Sequence, residues 1–559
     1  MQLVVGVTGH RDLVEEEQPA LESRVRALFT GLSERYPNLD LELLTALANG
    51  ADRLVARVAA ELAIPVVAVL PMQQVDYEKD FETGDGLAEF RTLLAGATRI
   101  IELPSGKRPI GRNSQYAQMG LFISNHCQVL LALWDGKHSG AVGGTAHVVN
   151  YHLTGVMEGF EGELSPASLL ADNENDLVHH IVCSRNREGG APAEELSPLE
   201  AWWFSSRDDG ERTADIPEAY RLQLDRLQRF ARDWKEKENT LSFRSASLLE
   251  ETGGLDVPAG AIETDELFQA ADSLAIHYQQ RVNSSLRGLH ILAILMGLVF
   301  LIYTEFNAPG YMLLAFLGLF FAGVVVHLIG SNREWHRKYL DYRALAEGLR
   351  VQLYWNLSGV VDAASAGFAY DNFLQMQDVD LGWIRHVMRQ ASINRVRGRT
   401  ADPAWVKWVI DEWIGEPVRG TGQLAWYSRK QMYNTSRFRR TQILGNLCLW
   451  TGITIAVLLY LLDTDGSGPR RQGLLVLMGV LPLVAGIWDA YSHKKAEKEL
   501  IKQYGFMRRV FQKARKLVDN SDDIAFQRQV LKALGQAALD EGAEWLLMHR
   551  ERPLEHGRL

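Results

Sequence analysis

Four apolar stretches in the second half of the chain, arranged as two pairs, constrain its fold more than any other feature. Leu289 to Phe306 and Tyr311 to Ile329 form the first pair, joined by the turn Asn307-Ala308-Pro309-Gly310. Leu444 to Leu462 and Gly473 to Trp488 form the second, around the loop Asp463 to Pro469. At about 1.5 Å per residue the longer ones reach close to the 30 Å of a hydrocarbon core, so they read as transmembrane helices. Glu305, at the outer end of the first, is the only Asp, Glu, Lys or Arg inside them. A transporter usually carries ionisable groups near the midplane, and this pattern disfavours one. Gly318, Gly323, Gly452, Gly479, Ala485 and Gly486 allow close helix packing, although ordinary membrane-helix composition accounts for them better than a specific pore seam does.

Basic residues set the expected orientation. Arg281 and Arg287 precede the first pair, and Arg333, Arg337 and Lys338 follow it; Arg437, Arg439 and Arg440 precede the second, and Lys494, Lys495 and Lys498 follow it. Both hairpins should therefore point outward with both termini in the cytoplasm, against which only Arg470 and Arg471 count. Met1-Gln2 runs directly into a strand-like segment, so the N-terminal part is expected to stay cytoplasmic. A charged helix is expected after each hairpin, at Arg333 to Leu357 and His493 to Leu517, continuing the second membrane helix. In the first, Tyr339, Tyr342, Leu345, Leu349 and Leu353 make a face that wants a partner, which suggests packing between subunits of a homo-oligomer.

From the N-terminus, apolar runs alternate with amphipathic stretches: Leu3 to Val7, Leu41 to Leu47, Val66 to Leu70, Arg99 to Leu103 and Val129 to Trp134. That alternation calls for a Rossmann-like parallel sheet, whose ligands bind beyond the carboxyl ends of the strands. The expected fold is thus an α/β domain followed by an all-α membrane domain with four transmembrane helices and long cytosolic helices. Its expected parts are residues 1–205, a helical linker 206–270, and two hairpin modules, 271–420 and 421–559.

Strand-end loops supply the candidate ligand-binding residues. The first strand ends in Gly6-Val7-Thr8-Gly9-His10-Arg11, where glycines admit a ligand to the backbone and Thr8, His10 and Arg11 can donate to phosphate or ribose. The second leads to Gly50-Ala51-Asp52-Arg53; Asp52 reads equally as a ribose acceptor or a residue favoured in a first helical turn. Tyr77, Asp80 and Phe81 stand where a loop can cover a base. The fifth strand ends in Trp134-Asp135-Gly136, followed by Ser139-Gly140-Ala141-Val142-Gly143-Gly144-Thr145, a glycine-rich loop entering a helix and suited to phosphate.

A net charge of −10 disfavours nucleic acid as a partner; the basic run Arg385 to Arg399 reads as a solvated helix face or a membrane-proximal patch. Three cysteines without Cys-x-x-Cys spacing fit a reducing compartment and suggest no metal site.

Two resemblances follow. Tyr342-Arg343-Ala344-Leu345-Ala346-Glu347-Gly348-Leu349-Arg350, Ala425-Trp426-Tyr427 with Tyr433-Asn434, and Glu544-Trp545 to Arg552-Pro553 resemble the SLATT family of two-helix membrane modules. The glycine loops of residues 1 to 205 resemble the SLOG superfamily, Rossmann-like domains that bind or process nucleotide derivatives. SLOG enzymes, the cytokinin-activating phosphoribohydrolases, place a catalytic glutamate three residues after the glycine-threonine pair. Here that position is Val148, with His147 beside it, so the expectation is a sensor with no catalytic residue rather than a hydrolase. The resemblances imply a sensor-effector of bacterial antiphage defence in the inner membrane, with a nucleotide-derived second messenger as ligand and no other cofactor. A partner cyclase or TIR-type enzyme would make that messenger, and the membrane part would form a pore. The alternative is a membrane-tethered nucleotide N-glycosidase or phosphoribohydrolase.

Overall fold

The computed structural model describes the chain apart from residues 82–83, 104–110, 139–141, 159–175, 208–209, 242–244, 307–308, 361–372, 374–380, 394–401, 417–419, 462–467 and 551–559. Two compact units result. One comprises Met1–Ser242, Ser247–Ala270 and Gly348–Asp402; the other comprises Phe243–Ala246, Ala271–Glu347 and Pro403–Leu559.

The first unit is built on seven strands: β1 (Gln2–Gly9), β2 (Asp40–Thr45), β3 (Val66–Leu70), β4 (Arg99–Glu102), β5 (Val129–Trp134), β6 (Val178–Val182) and β7 (Ala201–Phe204). Their spatial order is β4-β3-β2-β1-β5-β6-β7, all parallel except β7, which runs antiparallel on the edge. β3 and β5 are buried at every residue, as strands covered on both faces must be. Helices α1 (Gln18–Arg35), α2 (Ala51–Glu61), α3 (Gln74–Tyr77), α4 (Asp85–Gly96), α5 (Arg112–His126) and α6 (Thr145–Thr154) connect the strands. The chain reverses direction across the sheet between β1 and β5, which opens a crevice at their carboxyl ends.

α7 (Glu218–Leu241) belongs to this unit, and α11 (Gly382–Ser392) packs against α5 and α7. Phe230 and Trp383 lie 5.5 Å apart, and His386 Nε2 is 3.0 Å from Gln223 Oε1. Arg385 and Arg389 are therefore buried in a helix interface, where the sequence pattern suggested solvated or membrane-facing positions; Asn394 to Arg399 lie outside the described residues.

In the second unit the membrane helices run without interruption: within α8 (Ala259–Glu305), in α9 (Tyr311–Asn332), within α13 (Gly422–Leu461), and in α14 (Pro469–Lys494). Among the described residues, four helices are long and apolar enough to cross a membrane. Their apolar side chains point outward: Leu314, Phe321, Trp450 and Leu461 are each more than 60% exposed. Gly297 faces Leu483, Gly479 faces Leu301 and Gly452 faces Pro482, so small residues set the spacing between α8, α13 and α14. Phe321→Arg should shift the apparent insertion free energy of α9 unfavourably by about 3 kcal/mol in a glycosylation-reported insertion assay, from the burden of a charge at mid-helix. Leu222→Arg, at an exposed position of α7 (Glu218–Leu241), should leave it unchanged.

α10 (Trp335–Ser358) and α15 (Glu497–Asp519) follow the hairpins, each after a break at a non-glycine residue with positive φ, Glu334 at 50° and Ala496 at 49°. At the same distance along the chain from each break stands a tyrosine facing the helix that leads the hairpin: Tyr342 against Tyr278, and Tyr504 against Tyr427. Sequence periodicity suggested continuous helices; the left-handed residue between them redirects the chain, and charge pattern carries no record of it. The apolar face of α10 is covered within the chain itself: Tyr342, Leu345, Leu349 and Leu353 are buried, and Gln352 Nε2 donates to Met388 O at 2.8 Å. The helical remainder comprises α12 (Pro403–Val409) and α16 (Ile524–Arg550), whose end meets α10 through Arg550 and Asp341 at 3.0 Å.

Candidate functional site

The loops at the β1–β5 crevice hold most of the candidate residues. Gly6 is not at the crevice: it lies inside β1, where a Cβ would sit 2.8 Å from Cys127 Sγ and from Ile123, so its role is to seat α5 on the strand. Gly9 and Gly50 are spacers of the same kind. A Cβ on Gly9 would meet Ala51 Cβ at 2.3 Å. One on Gly50, whose φ is +78°, would meet the carbonyl oxygens of both His10 and Arg11 at 2.5 Å. With those side chains absent, the Ala51 N–H donates to His10 O at 3.0 Å and binds α2 to the end of β1. That N-terminus is thereby occupied by protein.

His10 is buried, with Nε2 3.0 Å from Asp135 Oδ1 and 3.1 Å from the Asp135 amide. One ring nitrogen can serve only one of these at a time. Burial holds the His10 pKa below its ordinary value despite the opposing pull of Asp135, so the contact is a hydrogen bond of a neutral ring rather than an ion pair. Asp135 also accepts the Lys137 N–H at 3.1 Å, and Gly136 supplies the φ of +76° that this turn needs. Asp135 and His10 thus fix the two loops to each other across the crevice.

Asp52 and Arg53 turn inward. Asp52 accepts the Ala48 N–H at 3.4 Å, and burial raises its pKa from 3.8 to about 7. Arg53 donates to Leu47 O at 3.1 Å and to Gly86 O at 2.7 Å, and stacks over Phe81 at 4.6 Å. Tyr77 and Phe81 form an aromatic cluster with Phe90, and Asp80 is held by Tyr116 and by Arg112 at 2.6 Å. The loop residues suited by sequence to cover a base are occupied in packing instead.

The Asp52 shift has a testable sign. An acid whose folded-state pKa is raised favours the fold while protonated, so this contribution is complete below about pH 4 and is lost as pH rises through about 7. Asp52→Asn is expected to lose less stability than the native chain between pH 4 and 7, by a few kcal/mol. Chemical denaturation at several pH values reads it; parallel pH profiles would show that Asp52 is not the group responsible.

What remains open is Arg11 and the start of α6. Arg11 is exposed, with its guanidinium 5.0 Å over the Tyr116 ring. Tyr116 in turn borders Gly143, where a Cβ would stand 3.2 Å from Tyr116 Cβ and 2.9 Å from the Ala117 nitrogen; φ there is +78°. Gly144 is the N-cap of α6 and Thr145 begins the helix, and among the described residues no side chain caps that start. Thr8, half-buried, pairs with Ala132 at the same end of the sheet. Tyr116 thus has the Arg11 guanidinium over its ring and the backbone leading into α6 against its Cβ, and a guanidinium and a helix start are each groups that favour an anion. Ser139 to Ala141, the middle of the glycine-rich loop, lie outside the described residues. Val148 faces away from this opening, packed in the core against Gly120 of α5.

Sequence reasoning did not single out Tyr116, which positions Arg11, nor the loop after β6. There Arg185 Nε donates to Asp12 Oδ1 at 2.9 Å, and the Ser184 N–H donates to Glu17 at 2.8 Å, fastening that loop to the one after β1. The dense Arg185-Asn186-Arg187 that follows β6 was the available signal. Among the described residues, no group of His, Cys, Asp and Glu side chains is arranged to hold a metal ion. A scan against protein-family models finds no match to this chain, and a search of curated proteins finds none either.

Proposed function

We propose that this chain is a membrane-anchored sensor-effector, in which a nucleotide-derived messenger binds at the β1–β5 crevice and the four apolar helices respond by permeabilising a membrane. The observation that carries the reading is the conjunction, in one chain, of an exposed Arg11 over Tyr116, whose other side borders the backbone leading into α6, with four outward-apolar helices of membrane length. Phosphate is the moiety these groups suit best, and Thr8 with the glycine backbone at Gly143 and Gly144 suits the rest of a nucleotide. The resemblance of the loops to SLOG domains and of the hairpins to SLATT modules supports the same assignment. The setting proposed on that resemblance is a bacterial inner membrane, with a homo-oligomeric pore-forming effector of antiphage defence fed by a cyclase or TIR-type enzyme; the flanking basic residues support both termini being cytoplasmic. Coupling requires the messenger to bind the open arrangement more tightly than the closed one.

The direct test incubates the full-length protein with mononucleotides, cyclic oligonucleotides and ADP-ribose derivatives and identifies by mass spectrometry what the protein retains. An intact nucleotide retained in stoichiometric amount is the expected result. Retention of nothing across the panel contradicts the sensor, and a released base with ribose phosphate left behind identifies a tethered N-glycosidase instead.

A further inference from the structure

The second unit contains a cavity of about 680 Å³ between α8, α13 and α14, at the ends of the apolar segments where the basic residues lie. Its size falls within the roughly 300–1,000 Å³ of ordinary ligand sites. Its two halves differ in chemistry. Arg287 from α8 and Arg437 and Arg440 from α13 line one half, together with the hydroxyl of Tyr491; Ile291, Leu444 and other apolar side chains line the rest. No carboxylate is among the lining residues. Arg437 is paired with Glu497 at 3.1 Å, and Arg287 and Arg437 both hydrogen-bond the Tyr491 hydroxyl. Among the described residues neither Arg287 nor Arg440 has a carboxylate partner.

We propose that this cavity binds the phosphate headgroup of an anionic phospholipid, whose acyl chains lie along the apolar half. Two unneutralised guanidiniums call for an anion, and Arg suits phosphate by its bidentate geometry. The apolar half decides against a soluble phosphate: Ile291 is 57% exposed and Leu444 48% exposed, so both open toward the bilayer and are covered only by hydrocarbon. Trp488 and Tyr491 stand beside them as interfacial residues do. Because Arg287 comes from the first hairpin and Arg440 from the second, a bound headgroup joins the hairpins, and membrane composition then sets how firmly they are held together. The inference rests on the membrane reading of the helices and is independent of the messenger, so failure to bind any nucleotide leaves it untouched.

Full-length protein in phosphatidylcholine nanodiscs containing a minor fraction of phosphatidylglycerol provides the test, with co-purifying lipid counted by native mass spectrometry. The native chain should retain phosphatidylglycerol in excess over its share of the bilayer. Arg287→Gln with Arg440→Gln should lower that retention by about tenfold or more, whereas Arg333→Gln with Arg439→Gln, which removes the same charge outside the cavity, should change it less than about twofold. Arg440→Gln alone, at an exposed and unpaired position, gives an intermediate loss without disturbing packing and serves if the double variant does not fold. Excess inorganic phosphate should leave the retained lipid in place. Equal retention in native and variant chains, an equal fall in the control pair, or displacement by inorganic phosphate would each overturn the proposal.

Discussion

Arg11→Glu is expected to weaken nucleotide binding by about a hundredfold or more while lowering the melting temperature of the protein by no more than about 4 °C. The size follows from the loss of a charge-assisted hydrogen bond to phosphate, about 1.5–3 kcal/mol, together with repulsion from the new carboxylate. The small effect on stability follows from the position. Arg11 is exposed, and its contact with the Tyr116 ring at 5.0 Å is worth at most about 1 kcal/mol at such a site. Isothermal titration with the retained nucleotide and differential scanning calorimetry give the two numbers. Unchanged affinity would remove Arg11 from the site and with it the placement of the phosphate at α6; a large fall in melting temperature would assign Arg11 to the fold.

The second large effect is on stability. Gly50→Val places a β-branched side chain at φ +78°, with its Cβ 2.5 Å from two backbone carbonyl oxygens. Backbone strain of about 1–3 kcal/mol and overlap of similar size add, and no rotamer relieves either, because the atoms struck are main chain. A loss of about 4 kcal/mol is expected, seen as a fall of roughly 10 °C in the transition of the first unit. Ligand should restore part of it, since what is displaced is the Ala51–His10 contact under the crevice. A variant as stable as the native chain would mean that α2 and the loop after β1 can separate freely.

These two residues illustrate what sequence alone conveys. The strands were legible because parallel strands buried on both faces are unbroken apolar runs: Val66–Leu70 and Val129–Trp134 begin and end where the pattern places them. Membrane helices were legible from length and the absence of charge. Side-chain direction was not. Arg11 and Arg53 are the same residue type in neighbouring glycine loops, yet one stands over Tyr116 at the surface and the other is buried under α4. Gly9 and Gly50 read as room for a ligand, whereas the space is filled by Ala51 and by the carbonyls of His10 and Arg11. The placement of α11 on α5 joins Ser392 to His126 across nearly half of the chain, and no local pattern encodes a contact of that range.

Nucleotide bound at the crevice is expected to change the permeability of the membrane, and dye release from proteoliposomes of the full-length chain measures this directly. Release should begin when the retained nucleotide is added, rise with its occupancy, and be absent in Arg11→Glu at the same nucleotide concentration. Release that proceeds without nucleotide, or equally in Arg11→Glu, would contradict the account.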